Sequence, residues 1–353
     1  MTSKVAINGL GRIGRSILKL VVSEPAFELV AVNDMMEADN LAYLLRFDTA
    51  YGRYGTPVAV HDDDLVVGGR RLRTLRTRDP LELPWKTLGI DVVFECTGAF
   101  TRREDLEKHL RAGARIVLLS APSKGGEVET VVHGANAPGN NATLISCASC
   151  TTNCITPIVE IVGRRIGFSK AAMTTVHGYT ASQSLVDGPD KRRRRGRAAA
   201  ANLVPAATGA ARATTRALPQ YEGAFDGVAI RAPVPVGSIA DITFVTSRVT
   251  SVEEVNQILT DEAGSKRYTG IVGVSRDPLV SSDIIGDPRA SVVDLELTRV
   301  VGGDLVKIMT WYDNEWGYAN QMIREALSVA GHPPAASNLD PRIHPSRAES
   351  SGP

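Results

Sequence analysis

A chain of 353 residues with 40 basic and 39 acidic side chains carries a formal net charge of +1, which excludes a general attraction to nucleic acid or anionic membrane. Hydrophobic residues at 43% and charged residues at 22% describe a soluble globular protein, long enough for two domains. No apolar run approaches the roughly 18 residues that span a bilayer. The N-terminus MTSKVAING enters a strand at once, leaving no room for an export signal, so the four cysteines point to a reducing cytoplasm rather than to disulfides.

The segment KVAINGLGRIGRSILKLVV predicts a strand, a turn with Gly9, Gly11 and Gly14, and a helix. Such glycines permit a tight turn, close approach of backbone to a pyrophosphate, and close helix–strand packing. The helix start offers free N–H groups and a positive dipole end to phosphates. GxGxxG alone is a weak signal, but a second strand, FELVAVND, follows and ends at Asp34, 20 residues after Gly14. That is the spacing of a carboxylate that binds adenosine ribose hydroxyls; an Asp that merely caps a turn is the plainer alternative. A carboxylate there favours NAD by repelling the extra phosphate of NADP, which stays the second choice. DVVFECTGAF and RIVLLSAP predict further parallel-type strands, placing Thr97, Gly98 and Ser120 at carboxyl ends where a cofactor would lie. Between them TRREDLEKHLRAG reads as an amphipathic helix stopped by Gly113, with His109 on an exposed pattern. The βα alternation implies a doubly wound α/β sheet.

Next, ISCASCTTNCITPIVEIV carries three of the four cysteines. Cys147 and Cys150 form a CxxC, yet no second pair or nearby histidines complete a zinc site, so no metal is expected. A thioredoxin-like dithiol lacks its surrounding βαβ context. In the remaining reading Ser149 caps a helix bent at Pro157, and Cys150 lies in the first turn, where the dipole and free N–H groups lower a thiol pKa. Cys154 is one turn deeper on the same face. Of six histidines, His61 and His133 fall in loop-like or strand-end contexts, and His332 and His344 in a Pro/Ser-rich tail. His177, near the end of the threonine-rich strand in AAMTTVHGYTASQ, is the candidate base for Cys150.

Beyond it, AAMTTVHGY, GVAIRAPV, SIADITFVTSRV, ASVVDLELTRVV and LVKIMTWYD alternate like antiparallel strands with one buried face. SVEEVNQILTDEAG predicts a helix capped by Ser251 with Glu254 at capping-box spacing. EWGYANQMIREALSVAG predicts a last helix packed back on the nucleotide domain, and residues 332–353 a disordered tail. The run KRRRRGR could be a nucleic-acid or localisation patch. Its place between a DGP turn and an Ala-rich helix argues against that as a primary role.

NGLGRIGR, SCASCTTNC, TTVHGYTA, DGPDKRRRRGRAAAANLVPAATGAA and WYDNEWGYANQM together resemble the phosphorylating glyceraldehyde-3-phosphate dehydrogenase family, over residues 3 to 331. The resemblance implies a Rossmann-type NAD-binding domain (1–150 and 315–331) and an α+β catalytic domain (151–314) with a mainly antiparallel sheet. It implies Cys150 as nucleophile and His177 as base. Ser149, Thr151, Thr180, Arg195, Thr208, Gly209 and Arg231 would surround two phosphate pockets, one for glyceraldehyde 3-phosphate and one for inorganic phosphate. Arg12, Ile13, Arg78 and Asn314 would join Asp34 and Ser120 at NAD, with Arg12 and Ile13 lending N–H groups and Asn314 holding the carboxamide. SQSLVDGPDK would reach a neighbouring subunit's cofactor in a homotetramer. Cys147 stands where the family usually has asparagine, near enough to Cys150 in sequence for an oxidative disulfide. Gly178 replaces the commoner Ala or Ser, which would loosen the backbone, and His133 takes a usually apolar position. The sister erythrose-4-phosphate dehydrogenase shares Cys and His but lacks the Tyr-Thr of HGYTASQ. A non-catalytic scaffold or RNA-binding protein is the rival of a different class.

Overall fold

A computed structural model describes residues 2–125 and 128–332. All of the expected tail after His332 lies outside the described residues. His332 itself meets Ser3 Oγ through Nε2 at 2.9 Å and sets its ring edge-on to Phe27.

Short runs rich in β-branched residues build the first sheet. Its strands are β1 (Ser3–Asn8), β2 (Phe27–Asn33), β5 (Val58–His61), β6 (Asp64–Val67), β7 (Arg70–Leu75), β8 (Val92–Glu95), β9 (Ile116–Leu119), β10 (Glu129–Thr130) and β11 (Leu144–Ser146). A separate small hairpin, β3 (Phe47–Asp48) with β4 (Gly52–Arg53), intervenes after β2. The order is β10-β11-β9-β8-β1-β2-β7-β6-β5, parallel from β10 to β7 and antiparallel through β6 and β5. Helices α1 (Arg12–Ser23), α2 (Ala38–Arg46), α3 (Trp85–Leu88) and α4 (Arg103–Arg111) connect them. All four residues of β8 are buried, as a central parallel strand requires. The chain leaves β1 toward β2 on one side and returns to lay β8 on the other. That reversal opens a crevice beyond the carboxyl ends of β1 and β8.

The second half carries helix α5 (Cys150–Arg165), which runs through Pro157, then α6 (Ala210–Ala217), α7 (Val252–Ala263) and α8 (Trp316–Val329). Its strands are β12 (Phe168–Gly178), β13 (Val204–Ala207), β14 (Phe225–Ala232), β15 (Ser238–Thr246), β16 (Val272–Ser275), β17 (Ser291–Val301) and β18 (Leu305–Tyr312), in the order β13-β14-β12-β15-β18-β17-β16. The expected antiparallel pairing holds except that β12–β14 and β16–β17 are parallel. Strand β15 alternates buried and half-buried residues without a break, so one face of the sheet is covered. Ile155, Ile158 and Val162 of α5 cover it, packing with Ile242, Phe244 and Ile308. Each contributes about 1.5–3 kcal/mol on burial. Helix α8 returns to the first core, where Tyr318, Met322 and Ile323 cluster with Ile17 and Val21 of α1. Cys150 packs against both cores, which places the start of α5 at their junction.

Two local expectations need correction. His109 is not exposed: with Leu106 one turn earlier it forms the buried face of α4, fully closed from solvent. A polar, charged helix pattern hides such a residue because its partners come from elsewhere in the chain. Ser251 does cap α7 by accepting from the Glu254 N–H at 3.2 Å. The Glu254 carboxylate, however, turns away to Arg248 and Thr250, so only half of the capping box forms. Among the described residues no helix is long and apolar enough to cross a membrane.

Candidate active site

Strand β11 ends at Ser146, and the chain must reverse within three residues to start α5. Ala148 takes the left-handed conformation at φ 56°, a region that costs a non-glycine residue about 1 kcal/mol or more. Surrounding bonds hold it there: its N–H reaches Ser146 Oγ and its carbonyl accepts from Tyr318 Oη at 3.0 Å. Asn153 Nδ2 donates to the carbonyls of Cys147 and Ser149, tying the first turn of α5 back to the loop. Ser149 caps the helix through the Thr152 N–H at 3.1 Å. Cys150 is therefore the first helical residue, as its neighbours predict.

Strand β12 delivers the partner. Cys150 Sγ lies 3.3 Å from His177 Nε2. His177 Nδ1 sits 2.6 Å from the Gly178 carbonyl and 2.7 Å from Arg231 Nη1, which leaves Nε2 as the ring nitrogen that faces the thiol. Tyr312 stands edge-on to His177, and its hydroxyl bonds Thr151 Oγ1 (2.9 Å) and Thr175 Oγ1 (2.8 Å), joining the helix start to the histidine strand. Gly178 is bonded at both backbone groups: its N–H donates to Ser238 Oγ, its carbonyl accepts from Arg231, and an added Cβ would lie 3.0 Å from the Val234 carbonyl.

The electrostatics correct the expectation of a thiol made acidic by the helix mouth. Burial pushes the Cys150 thiol up; Arg231 and hydrogen bonds from Thr151 and the helix start pull it down without reversing the shift. Burial, then the charge of Arg231, hold His177 well below its ordinary 6.5, at about 3, with Arg195 adding to the effect. Cys154, fully buried beside Ser291 and Thr310, is pushed up to about 12 by burial. Cys147 is also buried, and all four cysteines are free thiols.

The expected phosphate ligands fall in two groups. Around His177, Arg231 Nη1 lies 2.7 Å from Nδ1, and its Nε is buried without a partner among the described residues. Arg195 Nη1 donates to Ser182 Oγ, which also bonds Thr180 Oγ1 at 3.0 Å. Thr208 and Gly209 open α6, a helix mouth with no hydrogen bond to the Cys–His pair. Ser149 is committed to its cap, and the Thr151 hydroxyl turns inward to Tyr312, making Thr151 a brace.

Of the expected cofactor residues, Gly9, Gly11, Asp34, Arg78 and Thr97 line a cleft of about 500 Å³ together with Asn8, Asn33, Met35, Thr77 and Phe100, among others. A Cβ at Gly14 would lie 1.9 Å from the Gly9 carbonyl, and one at Gly9, itself at φ 93°, 2.6 Å from the Thr97 nitrogen. A Cβ at Gly11 would meet nothing within 4 Å: the space before the helix start is open to a ligand. Ile13 follows in the first turn of α1, while the Arg12 side chain is drawn off to Asp48 and Glu315, leaving its N–H for binding. Asp34 receives Leu10 N–H (2.6 Å) and Met36 N–H (2.9 Å), one on each oxygen, and keeps a lone pair on both. Gly98, at φ 69°, follows Thr97, and Ser120 extends β9 beside it. Asn314 Oδ1 accepts from Gly237 N–H and Ser238 Oγ, which leaves its Nδ2 for a ligand acceptor. These residues fit a dinucleotide. Asn8, Asn33, Ser238 and Tyr312 were not anticipated. Asn8 and Asn33 end β1 and β2, so the rule that ligands lie beyond strand carboxyl ends would have found them. Among the described residues no cluster of three His, Cys, Asp or Glu side chains could hold a metal ion.

The model of the glyceraldehyde 3-phosphate dehydrogenase NAD binding domain matches residues 3–103, and that of the C-terminal domain matches residues 149–314. The glyceraldehyde-3-phosphate dehydrogenase of Zymomonas mobilis is 43% identical over 334 residues, covering 94% of this chain and 99% of its own. That of Streptomyces coelicolor is 44% identical, covering 92% and 97%, and glyceraldehyde-3-phosphate dehydrogenase 1 of Bacillus subtilis is 42% identical, covering 94% and 99%. With its paired thiol and imidazole beside a dinucleotide cleft, the chain belongs to the glyceraldehyde-3-phosphate dehydrogenase family.

Proposed function

We propose that this chain oxidises D-glyceraldehyde 3-phosphate with NAD and inorganic phosphate to 1,3-bisphosphoglycerate, in line with the names of its relatives. The observation that carries the reading is the 3.3 Å approach of Cys150 Sγ to His177 Nε2. Residues 1–150 and 315–331 form the NAD-binding domain and 151–314 the catalytic domain; return of α8 to the first core supports this division.

In the reaction His177 Nε2 takes the Cys150 proton as Sγ bonds to the aldehyde carbon, then returns it to the oxygen, giving a thiohemiacetal. NAD supplies the acceptor for the hydride that leaves this carbon, while His177 removes the hydroxyl proton and a thioester remains on Cys150. Phosphate oxygen attacks the thioester carbon, the C–S bond breaks, and the proton on His177 restores the thiol. The Cys150 N–H and His177 stabilise the oxyanion of each tetrahedral step. Arg231, Arg195 and Thr180 bind one phosphate, and Thr208 and Gly209 the other, while Ser149 and Thr151 hold the start of α5; the orphaned Arg231 Nε supports the first assignment. Phosphate at Arg231 offsets the charge that depresses His177, so the base strengthens as substrate arrives.

Leu185 and Val186, 79% and 72% exposed on the loop after Ser182, and the exposed Val176 and Val228 on the open sheet face support a homotetramer. Four free thiols, one the nucleophile, suit the reducing cytoplasm.

NADH formation tests the assignment. Turnover with glyceraldehyde 3-phosphate should require phosphate or arsenate and exceed that with erythrose 4-phosphate; equal steady rates without phosphate would overturn it. Asp34→Ala should cut the preference for NAD over NADP, measured as the ratio of kcat/KM values, by about tenfold or more. An unchanged ratio would remove Asp34 from cofactor choice.

A further inference from the structure

Beneath the cofactor cleft lies a carboxylate that the reaction does not use. Glu95 ends β8 with no exposed surface, and among the described residues no lysine or arginine pairs with it. An ionised carboxylate in such a place needs its lone pairs filled. Oε1 accepts from the Thr97 N–H at 2.8 Å and from the Thr97 hydroxyl. Oε2 accepts from Asn8 Nδ2 at 2.6 Å and meets His109 Nε2 at 3.1 Å.

The state of His109 follows from its other nitrogen. Trp85 Nε1, which can only donate, lies 3.0 Å from His109 Nδ1. Nδ1 must therefore accept, the single ring proton sits on Nε2, and that proton points at Glu95. An imidazolium would set two donors against each other at Trp85. The dyad is thus a neutral histidine donating to a carboxylate, with Trp85 selecting the tautomer.

The bonds continue under the cleft. Asn8 Oδ1 accepts from Asn33 Nδ2 at 2.7 Å, and Asn33 exchanges hydrogen bonds with the Thr77 backbone at 2.8 and 2.9 Å. Asn8, Asn33, Thr77 and Thr97 all line the cleft, whereas Glu95, His109 and Trp85 stand behind it. One carboxylate thereby sets residues on both β1 and the loop after β8, the two sides of the crevice.

We propose that Glu95 and His109 are positioning residues for NAD, holding Asn8 and Thr97 in the geometry that the cofactor requires. The inference rests on the cleft being the NAD site. NAD affinity by calorimetry, KM for NAD, kcat and Tm would be measured for the full-length protein and three variants. Glu95→Gln and His109→Asn, which keeps an acceptor near Nδ1 but loses the Nε2 donor, should each weaken NAD binding and raise its KM by about tenfold or more, with kcat within about threefold. His109→Gln, which restores a donor at the Nε2 position, should recover most of that loss. Variants that lower Tm but bind NAD like the parent, or a Gln variant no better than Asn, would overturn the proposal and leave a structural dyad. Failure of the parent itself to bind NAD would instead overturn the reading of the cleft.

Discussion

Cys150→Ser should lower kcat by about 10⁴-fold or more, while Cys154→Ser keeps most activity. Both residues are cysteines on one helix, four positions apart, and desolvation pushes both thiols up, although Cys150 is half-buried and Cys154 fully buried. Their difference is geometric. Cys150 Sγ faces His177 Nε2 at 3.3 Å; Cys154 Sγ meets the hydroxyls of Ser291 and Thr310, at 3.8 and 4.0 Å, and no base among the described residues. Serine at 150 retains the position but is a far weaker nucleophile at its free pKa. Steady-state NADH formation, with Tm to exclude misfolding, checks the pair. An active Cys150→Ser protein, or an inactive but folded Cys154→Ser protein, would refute the assignment.

His177→Asn should cost about 10²–10⁴-fold in kcat, the usual span for losing a positioned base. It should also change how acid affects stability, and the sign is fixed. The folded protein keeps this imidazole neutral down to about pH 3, whereas in the unfolded chain it protonates near 6.5. Between those values the unfolded state binds more protons, so stability falls as pH falls. The contribution is fully present above 6.5 and is lost progressively toward about pH 3. Without the group, Tm should decline less steeply through that window. Asp313, pushed up to about 6 by burial, contributes with the opposite sign in both proteins and cancels in the comparison. Parallel Tm–pH curves would show that His177 is not the buried, charge-opposed base described above.

The chemistry-bearing segments were legible because each rests on a local rule. Gly9, Gly11 and Gly14 lie between a strand and a helix; Asp34 closes the next strand; Ser149 caps the helix that Cys150 begins. Turn geometry and capping act over a few residues, so neighbours in sequence suffice to specify them. What depended on distant partners was invisible. His109 sits in a charged helix pattern and is nonetheless buried, because Trp85 and Glu95 come to it from α3 and β8. The parallel pairing of β12 with β14 is likewise long-range, and alternation alone says which face is buried but not the direction of the neighbour.

By itself, then, the sequence determined which residues are chemically capable: a thiol at a helix start, a strand histidine, a glycine turn and a carboxylate beyond it. Tertiary structure alone decided their states. It brought His177 to 3.3 Å from Cys150 across 27 positions of chain. It reversed the expected direction of the thiol shift, since the burial that assembles the pair removes more solvation than the helix start returns. It also turned His109 inward onto Glu95, because desolvation and hydrogen-bond satisfaction depend on everything that surrounds a group, and those surroundings exist only once the chain has folded.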